Sequence, residues 1–374
     1  MKILSNFEAG NITVLKASQC DDIQLAIPPD QHTDIAQWFC FRLESQAHQK
    51  HCITINDLAN SAYPEGWPNY RVVASYDREE WFRIDTEFDG DALSFTFYPE
   101  CASMYFAYFA PYSYERHLDL LHQAQLHPEV TLSTLGQTHD NNDISLLTIG
   151  EPQEGKKNIW ITARQHPGET MTEWFMEGLL QRLLDNTDAL SRVLLSQAVF
   201  YLVPNMNPDG SIRGHLRTNS LGINLNREWQ TPSIEKSPEV YYVREKMLET
   251  GIDLFLDIHG DEAIPYNFVA GSEGVPSYND KIKDLEETFK RALLTITPEF
   301  QDQYGYPKNA PGTANLTVGS KWVAEQFHCL SYTVEMPFKD HDNCPDDVYG
   351  WSPERSVAFG QDVLAAIPSV LNKL

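Results

Sequence analysis

The segment Ile159-Trp160-Ile161-Thr162-Ala163-Arg164-Gln165-His166-Pro167-Gly168-Glu169-Thr170 reads as an apolar strand running into a Pro-Gly turn. The turn brings His166 and Glu169 to the rim of a sheet. Imidazole and carboxylate both bind zinc, and three protein ligands leave a fourth position open for water. A His-x-x-Glu pair alone recurs often by chance, so a third ligand is needed from the end of a distant strand. Leu254-Phe255-Leu256-Asp257-Ile258-His259-Gly260 offers one in His259.

Around this segment strands and helices alternate. Thr170 to Asn186 carries Met171, Trp174, Phe175, Leu179, Leu183 and Leu184 close to helical period, and Ser113 to Gln125 also reads as a helix. Ser237-Pro238-Glu239 and Ser352-Pro353-Glu354 each place a Ser cap before a Pro at the first helical position. Apolar strands recur at Val199 to Val203, Leu254 to Ile258 and Leu330 to Val334. The pattern predicts an α/β domain over residues 113–374, with a sheet covered by helices on both faces and ligands beyond the strand ends.

Residues 1–112 read differently. Short runs rich in β-branched and aromatic residues occupy 37–43, 51–55, 70–74, 81–86 and 93–98, with Asp89-Gly90 as a hairpin signal between the last two. Strands at this spacing without helical period predict a β-sandwich.

A chain of 374 residues with 42% hydrophobic content accommodates one large and one smaller domain. The net charge of −25 excludes a nucleic-acid binder, which needs a basic footprint, and argues against an anionic membrane surface. Screening confines charge effects to roughly 8 Å at physiological salt, so cations inside a cleft still govern a local anion site. Met1 to Glu8 has no apolar secretory core, and Cys20, Cys40, Cys52, Cys101, Cys329 and Cys344 form no CxxC pair. Reduced thiols and a cytoplasmic location are expected. Oligomeric state is not legible.

Four segments lie at or just beyond strand ends. They are His166-Pro167-Gly168-Glu169, Asn207-Pro208-Asp209-Gly210 running on to Asn224-Leu225-Asn226-Arg227, Asp257-Ile258-His259-Gly260, and Tyr332-Thr333-Val334-Glu335. In this order they resemble the zinc metallocarboxypeptidases, and most nearly the cytosolic carboxypeptidases that include the tubulin deglutamylases. Trp38-Phe39-Cys40-Phe41-Arg42 and Tyr105 to Tyr112 are similar to that subfamily's amino-terminal signatures. The resemblance covers nearly the whole chain. It implies a mixed sheet flanked by helices, preceded by an all-β sandwich.

The resemblance makes His166, Glu169 and His259 the ligands of one zinc ion and Glu335 the general base. A bare Glu in an apolar strand is costly to bury unless it is paired or working. Arg217, ten residues before Arg227, matches the arginine that steadies the oxyanion. Asn226 and Arg227 resemble the pair that grips a substrate's terminal carboxylate, a task suited to the bidentate guanidinium. Asp257 shares a strand face with His259 and is placed either to orient the imidazole or to make a plain structural hydrogen bond. The subfamily's arginine after Gly312-Thr313-Ala314 is Asn315 here, with Lys321 and Lys339 as possible substitutes, so the resemblance implies the reaction but not a glutamate preference.

The expected activity is hydrolysis of the C-terminal peptide bond of a peptide or protein. A zinc amidohydrolase acting on a small N-acyl amino acid is the nearest alternative. A non-catalytic module that binds C-termini is a third, disfavoured because neither a ligand nor the base is missing.

Overall fold

A computed structural model describes residues 1–374. The amino-terminal strands are β1 (Lys2–Leu4), β2 (Thr13–Gln19), β3 (Asp22–Ala26), β4 (Cys40–Glu44), β5 (His51–Asn56), β6 (Val73–Ser75), β7 (Phe82–Arg83), β8 (Thr86–Phe88), β9 (Leu93–Phe97) and β10 (Ser103–Ala107). They form two five-stranded sheets, β1-β4-β10-β6-β7 and β2-β3-β5-β9-β8. Alternation decides which faces meet: His51, Ile53 and Ile55 of β5 and Leu93, Phe95 and Phe97 of β9 point inward, while Ser94 and Thr96 point out. Phe106 sits between the sheets, 5.1 Å from the Phe41 ring and 4.9 Å from Phe97. The Asp89-Gly90 turn closes the β8–β9 hairpin, with Asp89 Oδ1 accepting the N–H groups of Asp91 and Ala92 and Gly90 at φ 104°.

The rest of the chain runs α1 (Tyr114–Ala124), β11 (Val130–Gln137), β12 (Asp143–Ile149), β13 (Lys157–Ala163), α2 (Met171–Leu183), α3 (Ala189–Gln197), β14 (Ala198–Val203), α4 (Pro208–Arg213), α5 (Pro238–Thr250), β15 (Leu254–Asp261), β16 (Phe268–Ala270), α6 (Asp280–Ile296), α7 (Gly319–Phe327), β17 (Leu330–Pro337), α8 (Pro353–Ala366) and α9 (Pro368–Leu371). Its seven strands form one mixed sheet in the order β11-β12-β14-β13-β15-β17-β16. The four inner strands β14, β13, β15 and β17 are parallel, and the others run antiparallel to their neighbours. Every residue of β14, β15 and β17 is buried, which is why these strands read as apolar runs rather than alternating ones. From β13 the sheet grows toward β14 on one side and β15 on the other. The switch opens a crevice at the carboxyl ends of those strands.

Both Ser-Pro-Glu segments start helices, but only one Ser acts as a cap. Ser352 Oγ accepts the Arg355 N–H, whereas Ser237 makes no cap hydrogen bond and its hydroxyl points at Glu228 instead. Pro at the first helical position starts α5 without it.

The apolar core does not stop at the sandwich. One cluster of 67 buried residues runs from Ile23 and Leu25 through Phe106 and Phe338 to Leu371. The Phe338 ring, just past β17, stacks on Tyr108 at 4.7 Å and meets Phe109 edge-on. Arg83 in the sandwich donates to the carbonyls of Phe338, Trp351 and Tyr349 across the same boundary.

Helices α2 and α8 cross at two glycines. A Cβ on Gly178 would lie 1.9 Å from the Val357 carbonyl oxygen, and one on Gly360 would lie 2.1 Å from that of Phe175. Ala normally stabilises a helix interior by about 1 kcal/mol over Gly. Here the helices must separate to admit the methyl group, and overpacking of this kind costs about 1–3 kcal/mol. Gly178→Ala is therefore expected to lower the free energy of unfolding, read as a lower urea midpoint at unchanged m-value. A midpoint at or above that of the parent chain would contradict the close crossing.

Candidate active site

The turn after β13 is built by its own side chains. Arg164 leaves the strand at φ 58°, a conformation that costs a non-glycine residue of order 1–3 kcal/mol. Its buried guanidinium holds the turn by donating to the carbonyls of Pro167 (2.8 Å) and Tyr112 (2.9 Å) and by pairing with Glu173. Gly168 lets the turn approach the loop at Leu216, whose backbone lies 3.0–3.1 Å from where a Cβ would be. The Gly168 N–H donates to the Leu216 carbonyl.

The turn and β15 bring three donors together. His166, Glu169 and His259 are buried, with one ligand atom from each lying within 4.8 Å of the others. His166 Nδ1 is 2.6 Å from Glu169 Oε1, His259 Nδ1 is 2.9 Å from Glu169 Oε2, and the two Nδ1 atoms are 3.2 Å apart. Each ring is anchored by its other nitrogen. His166 Nε2 faces Asn224 Oδ1 at 3.2 Å, and His259 Nε2 faces Asp257 Oδ2 at 3.1 Å. Both partners are acceptors, which puts a hydrogen on the outer Nε2 of each ring and turns Nδ1 inward. Asp257 is itself held by Thr162 Oγ1 (2.8 Å) and Gln165 Nε2 (2.6 Å).

Two imidazole Nδ1 atoms and a carboxylate facing one another suit a small divalent cation, and the donor set of two imidazoles and one carboxylate is one zinc accepts. Burial and the Arg217 charge pull His166 down to about 4, so it is neutral at pH 7. Burial opposes charge at Glu169 and His259 too. The imidazoles nonetheless hold Glu169 well below the carboxylate range, and Asp257 and Glu169 hold His259 well above the usual imidazole value. The protein charges alone call for a positive charge at this point.

Glu335 lies beside the cluster because of strand register: β15 and β17 are parallel neighbours, and His259 is directly opposite Glu335. Glu335 Oε1 lies 3.0 Å from the Tyr306 hydroxyl, which also lies 2.7 Å from Asp261 Oδ2. One phenolic hydrogen serves one carboxylate at a time. Glu335 Oε2 is buried and has no hydrogen-bond partner. Burial raises the Glu335 carboxyl well above its ordinary range, with Glu169 and Asp261 adding to the effect and His259 opposing it.

His166, Glu169, His259 and Glu335 line a cleft of about 660 Å³, together with Arg217, Asn226 and Arg227. Asn226 is buried, its Oδ1 accepting the Gly319 N–H at 2.8 Å and its Nδ2 lying 3.4 Å from His259 Nε2. Arg227 is exposed and donates to the Asn226 carbonyl at 2.6 Å. The Arg217 guanidinium lies 5.4 Å from the centre of the Tyr63 ring. These seven residues come from four loops or strand ends spread over 170 positions of sequence, and the fold brings every one to the same cleft.

Tyr306 is the contact that sequence reasoning left without a place. Its only signal was an aromatic, glycine-containing loop, Tyr304-Gly305-Tyr306-Pro307. Tyr63 and Glu65 of the sandwich also reach the cleft. Asn315 is exposed, with its side chain turned to Thr317, and does not line the cleft. Lys321 does line it, bonded to the Gly271 carbonyl, whereas Lys339 points away and donates to Pro68. His341 is spent on the Glu299 carbonyl, in a polar loop.

Known proteins resemble this chain in sequence and fold. Residues 3–109 match the cytosolic carboxypeptidase N-terminal domain family and residues 115–357 match the zinc carboxypeptidase family. A metallo-carboxypeptidase of Pseudomonas aeruginosa, solved in complex with (2-guanidinoethylmercapto)succinic acid, is 46% identical over 100% of both chains, with a TM-score of 0.97. One from Burkholderia cenocepacia is also 46% identical, over 100% of this chain and 98% of its own, with a TM-score of 0.96. Cytosolic carboxypeptidase 6 of Caenorhabditis elegans is 26% identical over 89% of this chain and 78% of its own.

The fold and cleft are those of a metal-dependent peptidase. The chain belongs to the zinc carboxypeptidase family and is a metallocarboxypeptidase, a hydrolase, whose amino-terminal all-β domain is of the cytosolic carboxypeptidase kind.

Asp257 gives this site a test independent of turnover. An acceptor behind a ligating imidazole typically contributes 10–100-fold to metal affinity. Asp257→Asn is expected to weaken zinc binding by ~10–100-fold, measured by competition with a chromophoric chelator. Parent-like affinity would reduce Asp257 to a structural partner of Thr162 and Gln165.

Proposed function

We propose that the chain removes the C-terminal residue of peptides or proteins bearing a free α-carboxylate, using one zinc ion held by His166, Glu169 and His259. The observation that carries this reading is the bare, buried Oε2 of Glu335 beside a cluster of three converging donors. A buried carboxylate oxygen without a partner is costly to maintain, and work at that atom explains it. Zinc held there lowers the pKa of water to about 7 and polarises a carbonyl oxygen.

Glu335 Oε2 takes a proton from the attacking water and passes it to the leaving amine. Its other oxygen lies 3.0 Å from the Tyr306 hydroxyl, which it shares with Asp261. Arg217 faces the oxygen on which charge develops, and burial keeps bulk water from competing for that charge. Arg227, at the exposed edge of the cleft, offers its fork to the terminal carboxylate. Asn226 shares that grip, its side chain held by the Gly319 N–H and its carbonyl receiving Arg227. The Pseudomonas relative's complex with a succinic acid derivative, a dicarboxylate, supports a carboxylate-reading cleft in this family.

The proposal includes a division of the chain at 112/113, supported by where the sandwich sheets end and α1 begins. It also includes a cytoplasmic working place. No helix is long and apolar enough to cross a membrane, all six cysteines are free, and the nematode relative carries the name cytosolic.

Three measurements test the mechanism. Glu335→Gln is expected to retain zinc and lose at least ~10²-fold in kcat, the usual share of a general base; parent-like turnover would remove Glu335 from the reaction. Losing a charged partner of this kind costs about 2–5 kcal/mol, so Arg227→Ala should lower kcat/KM by at least ~30-fold on free-acid peptides. C-terminally amidated peptides should be nearly inert for the parent enzyme. Equal cleavage of amide and acid would defeat the exopeptidase reading.

A further inference from the structure

We propose that Asp30, in the amino-terminal sandwich, is a positioning residue for Arg217, so that the sandwich completes the catalytic site of the peptidase domain. The inference rests on the role given to Arg217 above. The loop that carries Arg217 belongs to no helix or strand, so no ladder holds residues 216–218. Their backbone donors all go instead to one carboxylate from the other domain. Asp30 Oδ1 accepts the Leu216 N–H (2.7 Å), and Asp30 Oδ2 accepts the Arg217 N–H (2.8 Å), the Thr218 N–H (3.0 Å) and the Thr218 hydroxyl (3.0 Å).

Asp30 is only 3% exposed, and its charge is met by four donors and no cation. Successive N–H groups converging on an anion form a rigid nest, here with the anion supplied by the protein. The neighbouring residue extends the contact, with the Gln31 N–H donating to His215 Nε2 at 3.2 Å.

The sandwich also meets the other end of the Arg217 side chain. The Tyr63 ring lies 5.4 Å from the guanidinium, within reach of a cation–π contact. Tyr63 is in turn locked by buried Gln37, whose Oε1 accepts the Tyr63 N–H and whose Nε2 donates to the Tyr63 carbonyl. One domain thus holds both the root and the head of a catalytic arginine belonging to the other.

The test is a double-mutant cycle in the full-length, zinc-loaded enzyme, comparing Asp30→Asn, Arg217→Ala and the pair on a free-acid peptide, with zinc per chain measured for each. Asn keeps the shape of Asp30 but turns an N–H toward at least one of the four donors. Arg217→Ala is expected to lose ~10²–10³ in kcat. Asp30→Asn should lose at least ~10-fold in kcat with KM within ~3-fold, and the double variant should be no more than ~3-fold slower than Arg217→Ala, because Asp30 acts through a side chain already removed. Parent-like kcat in Asp30→Asn, or losses that multiply in the double variant, would overturn the inference while leaving Arg217 in its role. Full activity in Arg217→Ala would instead sink the role of Arg217 itself, and this inference with it. Should Asp30→Asn fail to fold, the same cycle with Tyr63→Leu decides: non-multiplying losses support the proposal and multiplying losses overturn it.

Discussion

Two imidazole nitrogens 3.2 Å apart, both turned toward one carboxylate and all three buried, hold their positions only because their surroundings fix them. Most of the active-site architecture serves to hold them. Asp257 and Asn224 take the outer hydrogens of the rings and so aim the inner lone pairs. Arg164 accepts a strained backbone to turn the chain at the end of β13. The parallel register of β15 and β17 then sets Glu335 opposite His259, one strand spacing of about 4.8 Å away. Displacement of β17 by one residue would send Glu335 to the other face of the sheet.

Charge works at two length scales. At −25 the molecule as a whole repels anions, yet the cleft carries Arg217 and Arg227 along with His166, Glu169 and His259. Beyond roughly 8 Å salt screens the global field, so a terminal carboxylate inside the cleft responds to the nearby arginines. Arg217 stays charged although burial works against it, because the Tyr63 ring, Glu262 and Glu169 favour the cation. The same burial leaves Glu335 without a protein partner for its reacting oxygen.

Much of this was legible in the sequence because the motifs sit where chain direction changes. Apolar runs at 198–203, 254–261 and 330–337 are buried on both faces, and a polar residue breaking such a run stands out, as Asp257, His259 and Glu335 do. The sandwich was legible in β5 and β9, where alternation is clean. It was not legible in β2, which is almost wholly exposed and therefore lacks the pattern that burial imposes. The Tyr304/Tyr306 loop read as a cleft lining without a fixed position, because a loop residue has no periodicity to place it. Asp30 was missed for a stronger reason: its partners lie 186 residues or more away, and an Asp before a Gln in a polar stretch looks like any surface turn. The unused Ser237 cap shows the opposite failure, a local signal that was present but redundant beside Pro238.

The contacts between the domains connect Glu335 to Arg217 by a path through the sandwich. Glu335 lies three residues before Phe338, whose ring stacks on Tyr108. The Tyr108 hydroxyl receives Gln37 Nε2 at 3.1 Å, and the same Gln37 fixes the backbone of Tyr63 beneath Arg217. A buried amide that satisfies a tyrosine from one wall and a backbone from another leaves no low-energy alternative for either, since any shift strands a polar group away from water. The apolar cluster running through both units makes their separation equally unfavourable, because Phe338, Tyr108 and Phe109 would each lose a buried face. A strand end and a loop without secondary structure are poor foundations for groups that must stay in register within a fraction of an ångström. Burying both against a second, rigid sheet system removes that freedom, and this accounts physically for a sandwich fused to a peptidase rather than tethered beside it.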